Sequence, residues 1–361
     1  MDDRDLMKRV LRLARKGTGK VSPNPRVGAI LVKKDRILSE GYHARFGGPH
    51  AEVDVLSKLS PAQRRDGTLY INLEPCNHHG KTPPCTDMII ESGVRRVVVG
   101  ITDPNPRVDG KGIRRLREAG IDVHVGVLEQ ACSRMNEAYI KYITQKKPFI
   151  TLKVAQTLDG KITTHSENPR WITCQSARKF AHRIRNEHDA ILVGVNTVIA
   201  DDPQLTVRWG RPRKIRRFIL DSQLRIPLQS RVLNDGAPEK TTVVMTSRAS
   251  THKKESIEQK GASVWVLDRD AHGRVDLSAL WKKMGEEHIA SVLVEGGSDV
   301  LTSILKTGDV DRVLVFIAPK FFGKGLNAFG KLDCDVPDDA FTFREYSWHR
   351  KGTDIVFDGR T

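Results

Sequence analysis

The sequence predicts two consecutive α/β domains, residues 1–146 and 147–361, and three observations predict them. At roughly 150 residues per domain, a chain of 361 residues favours two domains. Strand and helix signals alternate over residues 1–145, and a second alternating series begins at Phe149. Between the two lies QKKP, Gln145–Pro148, a polar stretch suited to a short linker. Alternation of this kind calls for a central sheet covered by helices.

The first half opens with MDDRDLMKRVLRLARKG. Met7, Val10, Leu11 and Ala14 recur at helical spacing, which predicts an amphipathic helix. The segment is acidic at once and lacks a continuous apolar core, so it does not read as a secretory signal. VGAILVKK is a strand and AEVDVLSKLS a helix. TLYINLEP is a strand, with Leu69, Ile71 and Leu73 alternating. CTDMIIESG is a short helix closed by Gly93, RRVVVGITD a strand, GIRRLREAG a helix and IDVHVGVL a strand. EQACSRMNEAYIKYITQ reads as one long amphipathic helix.

In the second half, strands are predicted at FITLKVAQ, AILVGVNT, RRFILDS, TTVVMTS, SVWVLD, ASVLVEG and DRVLVFIAP. Helices are predicted at CQSARKFAHRIRNEH, KKESIEQKG, DLSALWKKMGEEH and SDVLTSILKTG. FTFREYSWHRKGTDIVFDG reads as a hairpin turning at Lys351-Gly352.

Composition narrows the class. Hydrophobic residues make up 39% and charged residues 29%, which fits a soluble globular protein and excludes a disordered one. No apolar run reaches the roughly 18–20 residues of a membrane span. Five cysteines without an export signal predict a reducing cytoplasm and no disulfide framework. The net charge is +16, with the densest basic cluster at RWGRPRKIRR, Arg208–Arg217. Such charge suits a solvated surface, attraction of an anionic small substrate or cofactor, or nucleic acid. Aromatics are only 6% and do not interleave with the basic clusters, so nucleic acid is the weakest of the three.

The chemistry concentrates in PHAEV, Pro49–Val53, and LEPCNHHGKTPPC, Leu73–Cys85. A hydrolytic zinc site takes three protein ligands and leaves one position open for water. His50, Cys76 and Cys85 supply an imidazole and two thiolates, whose charge balances the dication. Glu52 stands two residues from His50, placed to move a proton rather than to coordinate, as in zinc deaminases. Pro49 puts His50 and Glu52 in a first helical turn, and Pro83-Pro84 do the same for Cys85. A lone H-x-E says nearly nothing, and a lone Cys is more often a small buried hydrophobe. That reading is given to Cys132, Cys174 and Cys334. A rival metal reading closes the site with His78 or His79 as a fourth ligand, which would strain a tight loop and leave Glu52 unexplained. Eight residues separate Cys76 from Cys85. Gly80 permits close backbone approach, and Lys81 and Thr82 offer a cation and a hydroxyl suited to a phosphate. A plain surface excursion fits those loop residues equally well.

With those residues in place, the chain resembles the bifunctional riboflavin-biosynthesis deaminase/reductases of bacteria. The matching stretches include SPNPRVGAILV, EGYHARFGGPHAEV, LEPCNHHGKTPPC, DPNPRVDGKGI, TLKVAQTLDGKI, LVGVNTVIADDPQLTVR, LDSQLRIP and VEGGSDVL, in order over most of the chain. The resemblance implies a cytidine-deaminase-like three-layer α/β/α domain followed by a dihydrofolate-reductase-like α/β domain. It implies hydrolysis of the 2-amino group of 2,5-diamino-6-(5-phosphoribosylamino)pyrimidin-4(3H)-one at one zinc per chain. Reduction of the ribosyl group with NADPH would follow, giving 5-amino-6-(5-phosphoribitylamino)uracil.

Carried onto matching positions, it assigns His50, Cys76 and Cys85 to zinc and Glu52 to proton transfer. Asn24 and His43 would hold the pyrimidine, Lys81 and Thr82 the phosphate end, and Asp103 and Asn105 the substrate loop. In the reductase half it places Lys153, Arg185, Leu205, Arg208 and Glu295 near the substrate. Ala155, Trp171, Thr197, Asp201 and Ser222 would lie near the cofactor.

That half has no G-x-G-x-x-G, so no dinucleotide fingerprint identifies the cofactor. Gly296-Gly297, between a strand and a helix, can offer backbone amides to a pyrophosphate, though an ordinary strand-to-helix turn reads the same. Arginines beside a sugar phosphate suit bidentate clamping. One position departs from the family: Pro169 stands where a Ser usually precedes the Trp of WIT, and that substrate contact is not carried over.

The partner is therefore expected to be a phosphorylated pyrimidine, with neither nucleic acid nor membrane. The oligomeric state, including a homo-oligomer, is left open by the sequence. Two other functions keep a place: a nucleic-acid-editing zinc deaminase with an appended binding domain, and a non-catalytic zinc-stabilised binding protein.

Overall fold

The computed structural model describes residues 2–78, 83–164, 171–209, 213, 215–247, 251–332 and 334–361. The chain divides into two compact units, Met1–Lys146 and Lys147–Thr361. Among the described residues, no helix is long and apolar enough to cross a membrane.

The strands of the first unit are β1 (Gly28–Lys33), β2 (Arg36–Tyr42), β3 (Thr68–Ile71), β4 (Arg96–Val99) and β5 (Asp122–Val125). Its helices are α1 (Asp3–Ala14), α2 (Ala51–Leu56), α3 (Pro61–Arg64), α4 (Cys85–Glu91), α5 (Lys111–Glu118), α6 (Glu129–Met135) and α7 (Glu137–Gln145). The sheet order is β2-β1-β3-β4-β5. β1 runs antiparallel to both neighbours, while β3, β4 and β5 are parallel.

Side chains alternate across this sheet, as the period-2 pleat requires. Ala29, Leu31, Leu69, Ile71, Val97 and Val99 pack with Ala51, Val55, Ile89 and Leu116 of α2, α4 and α5 on one face. Ile30, Val32, Tyr70 and Val98 pack with Leu6, Met7 and Val10 of α1 and Cys132 and Tyr139 of α6 and α7 on the other. The result is three layers, helices on both faces. α1 forms where its apolar spacing predicts, with the Asp2 carboxylate accepting from the Arg4 N–H at its start.

Two elements of this unit depart from the sequence pattern. β2 went unpredicted, because RILSEGY alternates weakly and its pairing with β1 is interrupted by a bulge at Leu31/Val32. The long helix predicted at EQACSRMNEAYIKYITQ breaks at Asn136, whose backbone (φ −116, ψ 17) leaves the helical region. Asn136 is buried and its side-chain amide is spent on another chain segment.

The second unit contains β6 (Phe149–Thr157), β7 (Lys161–Thr163), β8 (Ala190–Gly194), β9 (Arg216–Leu220), β10 (Thr241–Thr246) and β11 (Ser263–Leu267). It continues with β12 (Ser291–Val294), β13 (Arg312–Ala318), β14 (Leu326–Asn327), β15 (Glu345–Lys351) and β16 (Asp354–Arg360). Its helices are α8 (Gln175–Glu187), α9 (Val195–Asp201), α10 (Arg231–Asn234), α11 (Thr251–Gln259), α12 (Leu277–Glu286) and α13 (Ser298–Lys306). AILVGVNT is therefore not strand throughout: the strand ends at Gly194 and α9 begins at Val195.

The large sheet has the order β11-β10-β9-β8-β12-β6-β13-β16-β15. It is parallel from β11 to β13 and closes with the antiparallel β15–β16 hairpin. After β6 the chain skips one position to β8, winds outward to β11, and returns to insert β12 between β6 and β8. Ligand crevices in open parallel sheets form at the carboxyl ends of strands where the winding reverses. In this sheet that point is the end of β12, followed by Glu295, Gly296 and Gly297.

The cysteines are all free. Cys132 is buried as expected, and its burial pushes the thiol up to about 12. Cys174 is half-buried and packs against a core cluster, while Cys334 is exposed, so the expectation of a small buried hydrophobe fails for Cys334.

Candidate functional site

Two constellations stand at the ends of these sheets. In the first unit, His50 is the extended residue that caps α2, and Cys85 is the first residue of α4 after Pro84. Cys76 follows β3 in the connecting loop. His50 Nδ1 lies 3.1 Å from Cys85 Sγ and 3.6 Å from Cys76 Sγ. The Cys85 N–H points at Cys76 Sγ at 3.4 Å.

The three candidate ligand atoms all lie within 4.8 Å of one another. Tetrahedral zinc bonded at its usual lengths spaces sulfur and nitrogen by about 3.5 Å, so the group fits the ion. Hydrogen bonds from the Cys85 side chain and His50 hold the Cys76 thiol down to about 4. The contact with Cys76, together with burial, pushes Cys85 well up. Binding a cation at this group would require both thiols to give up their protons.

Glu52 is buried beside this group, and burial pushes its carboxyl up to about 7. A carboxyl poised near neutrality can both take and return a proton. His43 is also buried and meets His50 edge-on, ring centroids 5.5 Å apart. His43 Nδ1 is 2.9 Å from the Pro49 carbonyl, which can only accept, so Nδ1 carries the proton. Nε2 then accepts from Asn24 Nδ2 at 3.3 Å, which leaves the Asn24 carbonyl oxygen for another donor.

The loop after β4 is fixed by a buried carboxylate. Glu74 Oε2 accepts from the N–H groups of Asp103 and Gly110, at 3.1 and 3.0 Å, and Oε1 accepts from Ile113 N at 3.1 Å. Asp103 accepts from the Tyr139 hydroxyl at 3.0 Å and from the Asn105 N–H at 2.9 Å. Burial pushes the Asp103 carboxyl up.

In the second unit, Arg185 and Glu295 form a bidentate pair, Nε–Oε1 at 2.7 Å and Nη2–Oε2 at 2.8 Å. Lys153 Nζ stands 4.0 Å from Glu295 Oε2. Burial alone would raise Glu295, but Arg185 and Lys153 hold it down to about 2. Arg185 Nη1 also donates to the Thr206 carbonyl at 3.0 Å. Leu205 beside it is buried in the left-handed region at φ 51, a strained conformation for a branched side chain. The Arg208 N–H donates to His182 Nδ1 at 3.1 Å, and Arg208 Nη1 donates to Gln204 Oε1 at 3.3 Å.

Next to this cluster lies a cleft of about 450 Å³ whose wall includes Thr197, Ser222, Gly297 and Ser298. Gly297 caps α13, and its N–H donates to Thr197 Oγ1 at 3.1 Å.

Residues 1–101 match the family of the cytidine and deoxycytidylate deaminase zinc-binding region, and residues 148–357 match the RibD C-terminal domain. The riboflavin biosynthesis protein RibD of Aquifex aeolicus is 46% identical, across 98% of this chain and 97% of that protein. The chain belongs to the RibD family. The Escherichia coli RibD is 37% identical over 96% of each chain. A solved deaminase/reductase from Thermotoga maritima is 38% identical with a TM-score of 0.86, covering 99% of this chain and 98% of its own. An Acinetobacter baumannii RibD structure has a TM-score of 0.88 at 31% identity over 99% and 98%. As a RibD-family member, the chain is a bifunctional deaminase and reductase of riboflavin biosynthesis. It pairs a cytidine-deaminase-like zinc-binding domain with a dihydrofolate-reductase-like domain that calls for a nicotinamide cofactor.

Against the residues singled out in the sequence, the RibD-family fold brings His50, Glu52, Cys76, Cys85, Asn24 and His43 into one neighbourhood. Among the described residues, the metal-type group holds those three ligands and His78 is outside it, so no closed Cys₂His₂ site forms with His78. His79, Gly80, Lys81, Thr82 and Pro169 lie outside the described residues. Lys153, Arg185, Arg208, Leu205 and Glu295 gather at the end of β12. Arg185 spends its fork on Glu295, so the bidentate clamp expected for a phosphate is here an internal ion pair.

Of the expected cofactor residues, Thr197, Ser222 and Gly297 line the cleft, while Ala155, Trp171, Asp201 and Gly296 are not on its described wall. Trp171 is 60% exposed, under the Arg178 guanidinium at 4.5 Å. Gly296 serves packing: a Cβ there would lie 2.9 Å from Val300 Cβ.

Sequence reasoning missed Asn72, Glu74, Asn136 and Tyr139. Their partners lie far away in the sequence, so no local pattern marks them.

Proposed function

We propose that the N-terminal unit hydrolyses the 2-amino group of 2,5-diamino-6-(5-phosphoribosylamino)pyrimidin-4(3H)-one. The C-terminal unit then reduces the ribosyl side chain of the product with NADPH, giving 5-amino-6-(5-phosphoribitylamino)uracil. The observation that carries this reading is the buried Glu52 carboxyl beside the three-ligand group of His50, Cys76 and Cys85. The Thermotoga maritima structure, named as a diaminohydroxyphosphoribosylaminopyrimidine deaminase and 5-amino-6-(5-phosphoribosylamino)uracil reductase, supports the substrate.

One zinc per chain, when bound by His50, Cys76 and Cys85, supplies Lewis acidity that brings a water toward ionisation near neutral pH. Glu52 would take a proton from the attacking water and deliver it to the amino nitrogen. The new C–O bond forms, the C–N bond breaks, and ammonia leaves. Asn24, oriented by its bond to His43, turns its carbonyl oxygen to the pyrimidine edge. Lys81 and Thr82 take the phosphate end, and the Asp103–Asn105 loop closes the other side.

In the reductase, hydride passes from the nicotinamide to the sugar, and the protein's part is positioning. Glu295, kept ionised by Arg185 and Lys153, gives the substrate pocket a fixed acceptor. Arg208 is held by the neutral Gln204, so it is the cation suited to the substrate phosphate. The net charge of +16 favours capture of both anionic ligands.

Glu52→Ala separates the two activities. Zinc content and NADPH oxidation on the deaminated product should persist while ammonia release falls at least about a hundredfold. Undiminished ammonia release would remove the assignment.

A further inference from the structure

Helix α8 grips the loop after α9 at two points. His182 and Arg185 stand three residues apart on α8 and so share a face. Arg185 Nη1 donates to the Thr206 carbonyl at 3.0 Å, and His182 Nδ1 accepts from the Arg208 N–H at 3.1 Å. The His182 ring is buried and meets the Trp209 ring edge-on, centroids 4.8 Å apart. The residue on either side of the Arg208 N–H, Val207 in the core and Trp209 on the ring, is therefore also engaged.

The rest of the loop is held from the other side. Arg217 Nη1 donates to the Gln204 carbonyl at 3.2 Å, and Leu205 and Val207 are buried. Arg208 differs from these neighbours. Its side chain is exposed, and its guanidinium donates to the neutral Gln204 Oε1 at 3.3 Å. Among the described residues it meets no carboxylate, whereas Arg185 is committed to Glu295. A long exposed side chain of this kind points usefully only if its backbone is fixed.

The histidine is suited to that task by its protonation. A ring nitrogen that accepts carries no proton, so the neutral ring holds it on Nε2. Burial, and then the charges of Arg185 and Arg208, push His182 down to about 4. At neutral pH the ring keeps its lone pair toward the Arg208 N–H. It also adds no further cation beside Lys153, Arg185 and Arg208.

Resting on the reading of Arg208 as the cation for the substrate phosphate, we infer that His182 is a positioning residue of the reductase: by accepting the Arg208 N–H it sets the direction from which Arg208 meets that phosphate. It acts through Arg208 and takes no part in hydride transfer.

The test uses the full chain and 5-amino-6-(5-phosphoribosylamino)uracil, compared with the same compound lacking its phosphate. His182→Phe removes the acceptor and keeps a ring against Trp209; His182→Leu is the second filling should the first not fold. Calorimetric binding of NADPH, unchanged from wild type, checks the folding of the C-terminal unit. KM for the phosphorylated compound should rise about tenfold, with kcat nearly unchanged and KM for the unphosphorylated compound unmoved. His182→Asn, whose Oδ1 can replace Nδ1 as acceptor, should recover most of the loss. Arg208→Gln should show the same selective loss, and adding His182→Phe to it should raise KM no further. An unchanged KM in the folded variant, an equal rise for both compounds, or a full further loss in the double variant overturns the inference while leaving Arg208 as the phosphate cation. An Arg208→Gln variant that weakens both compounds alike overturns that reading and this inference with it.

Discussion

Asn136 hydrogen-bonds the backbone of Arg26 in both directions: its Oδ1 accepts from the Arg26 N–H at 2.8 Å, and its Nδ2 donates to the Arg26 carbonyl at 3.1 Å. Asn72 completes the clamp, donating to the same carbonyl at 2.9 Å and accepting from the Gly28 N–H at 2.9 Å. This segment leads from Asn24 into β1, so two buried amides set where Asn24 stands against His43. Replacing Asn136 with Ala orphans a backbone N–H and costs about 1–3 kcal/mol. Thermal unfolding of the N-terminal unit should shift down and KM for ammonia release should rise, with zinc content unchanged.

Gly112 gives a second handle on the metal site. A Cβ at this position would lie 2.2 Å from the Pro75 carbonyl oxygen, immediately before Cys76. Backbone cannot yield cheaply there, so Gly112→Ala should destabilise the unit by about 1–3 kcal/mol. It should also displace Cys76. Zinc measured after dialysis should drop below one per chain. Full zinc retention and activity would show that the close approach is not needed.

The Arg185–Glu295 pair makes a pH prediction for the C-terminal unit. The folded Glu295 carboxyl sits at about 2, below an unfolded value of about 4.3. Its contribution to stability is present above the unfolded value and is lost as pH falls through about 2. Glu295→Gln leaves Arg185 buried without its counter-charge, a loss of about 3–5 kcal/mol near neutrality. The gap in urea midpoint between wild type and variant should therefore narrow as pH falls from about 5 toward 2. A gap that stays constant over that range would place the pair's stabilisation elsewhere.

The loop between Cys76 and Cys85 yields to a kinetic test. Lys81→Ala should raise KM for the phosphorylated pyrimidine about tenfold, as a lost charge-assisted contact does. Zinc content should remain at one per chain. An unchanged KM would move the phosphate away from this loop.

Most of the architecture was legible because its signals are local. α1 follows from the spacing of Met7, Val10, Leu11 and Ala14, and the candidate metal group from HAE and Cys85 at helix starts and PC in the loop after a strand. What stayed hidden depends on contacts far apart in sequence. Nothing near Asn136 shows that its amide is spent 110 residues away, so the periodic run around it reads as unbroken helix. Glu74 looks like a strand-end carboxylate until Asp103, Gly110 and Ile113 are folded onto it. Arg185 reads as a phosphate ligand because its partner Glu295 is likewise 110 positions distant.

One chain is expected to run hydrolysis and reduction in that order at two sites. The direct measurement follows ammonia and NADPH together on the phosphoribosylaminopyrimidine substrate with zinc-loaded protein. Ammonia should appear without NADPH present, and NADPH should then be consumed only on the deaminated product, one equivalent for each ammonia released. NADPH consumption that precedes ammonia release, or absence of both from fully metallated protein, would contradict the account.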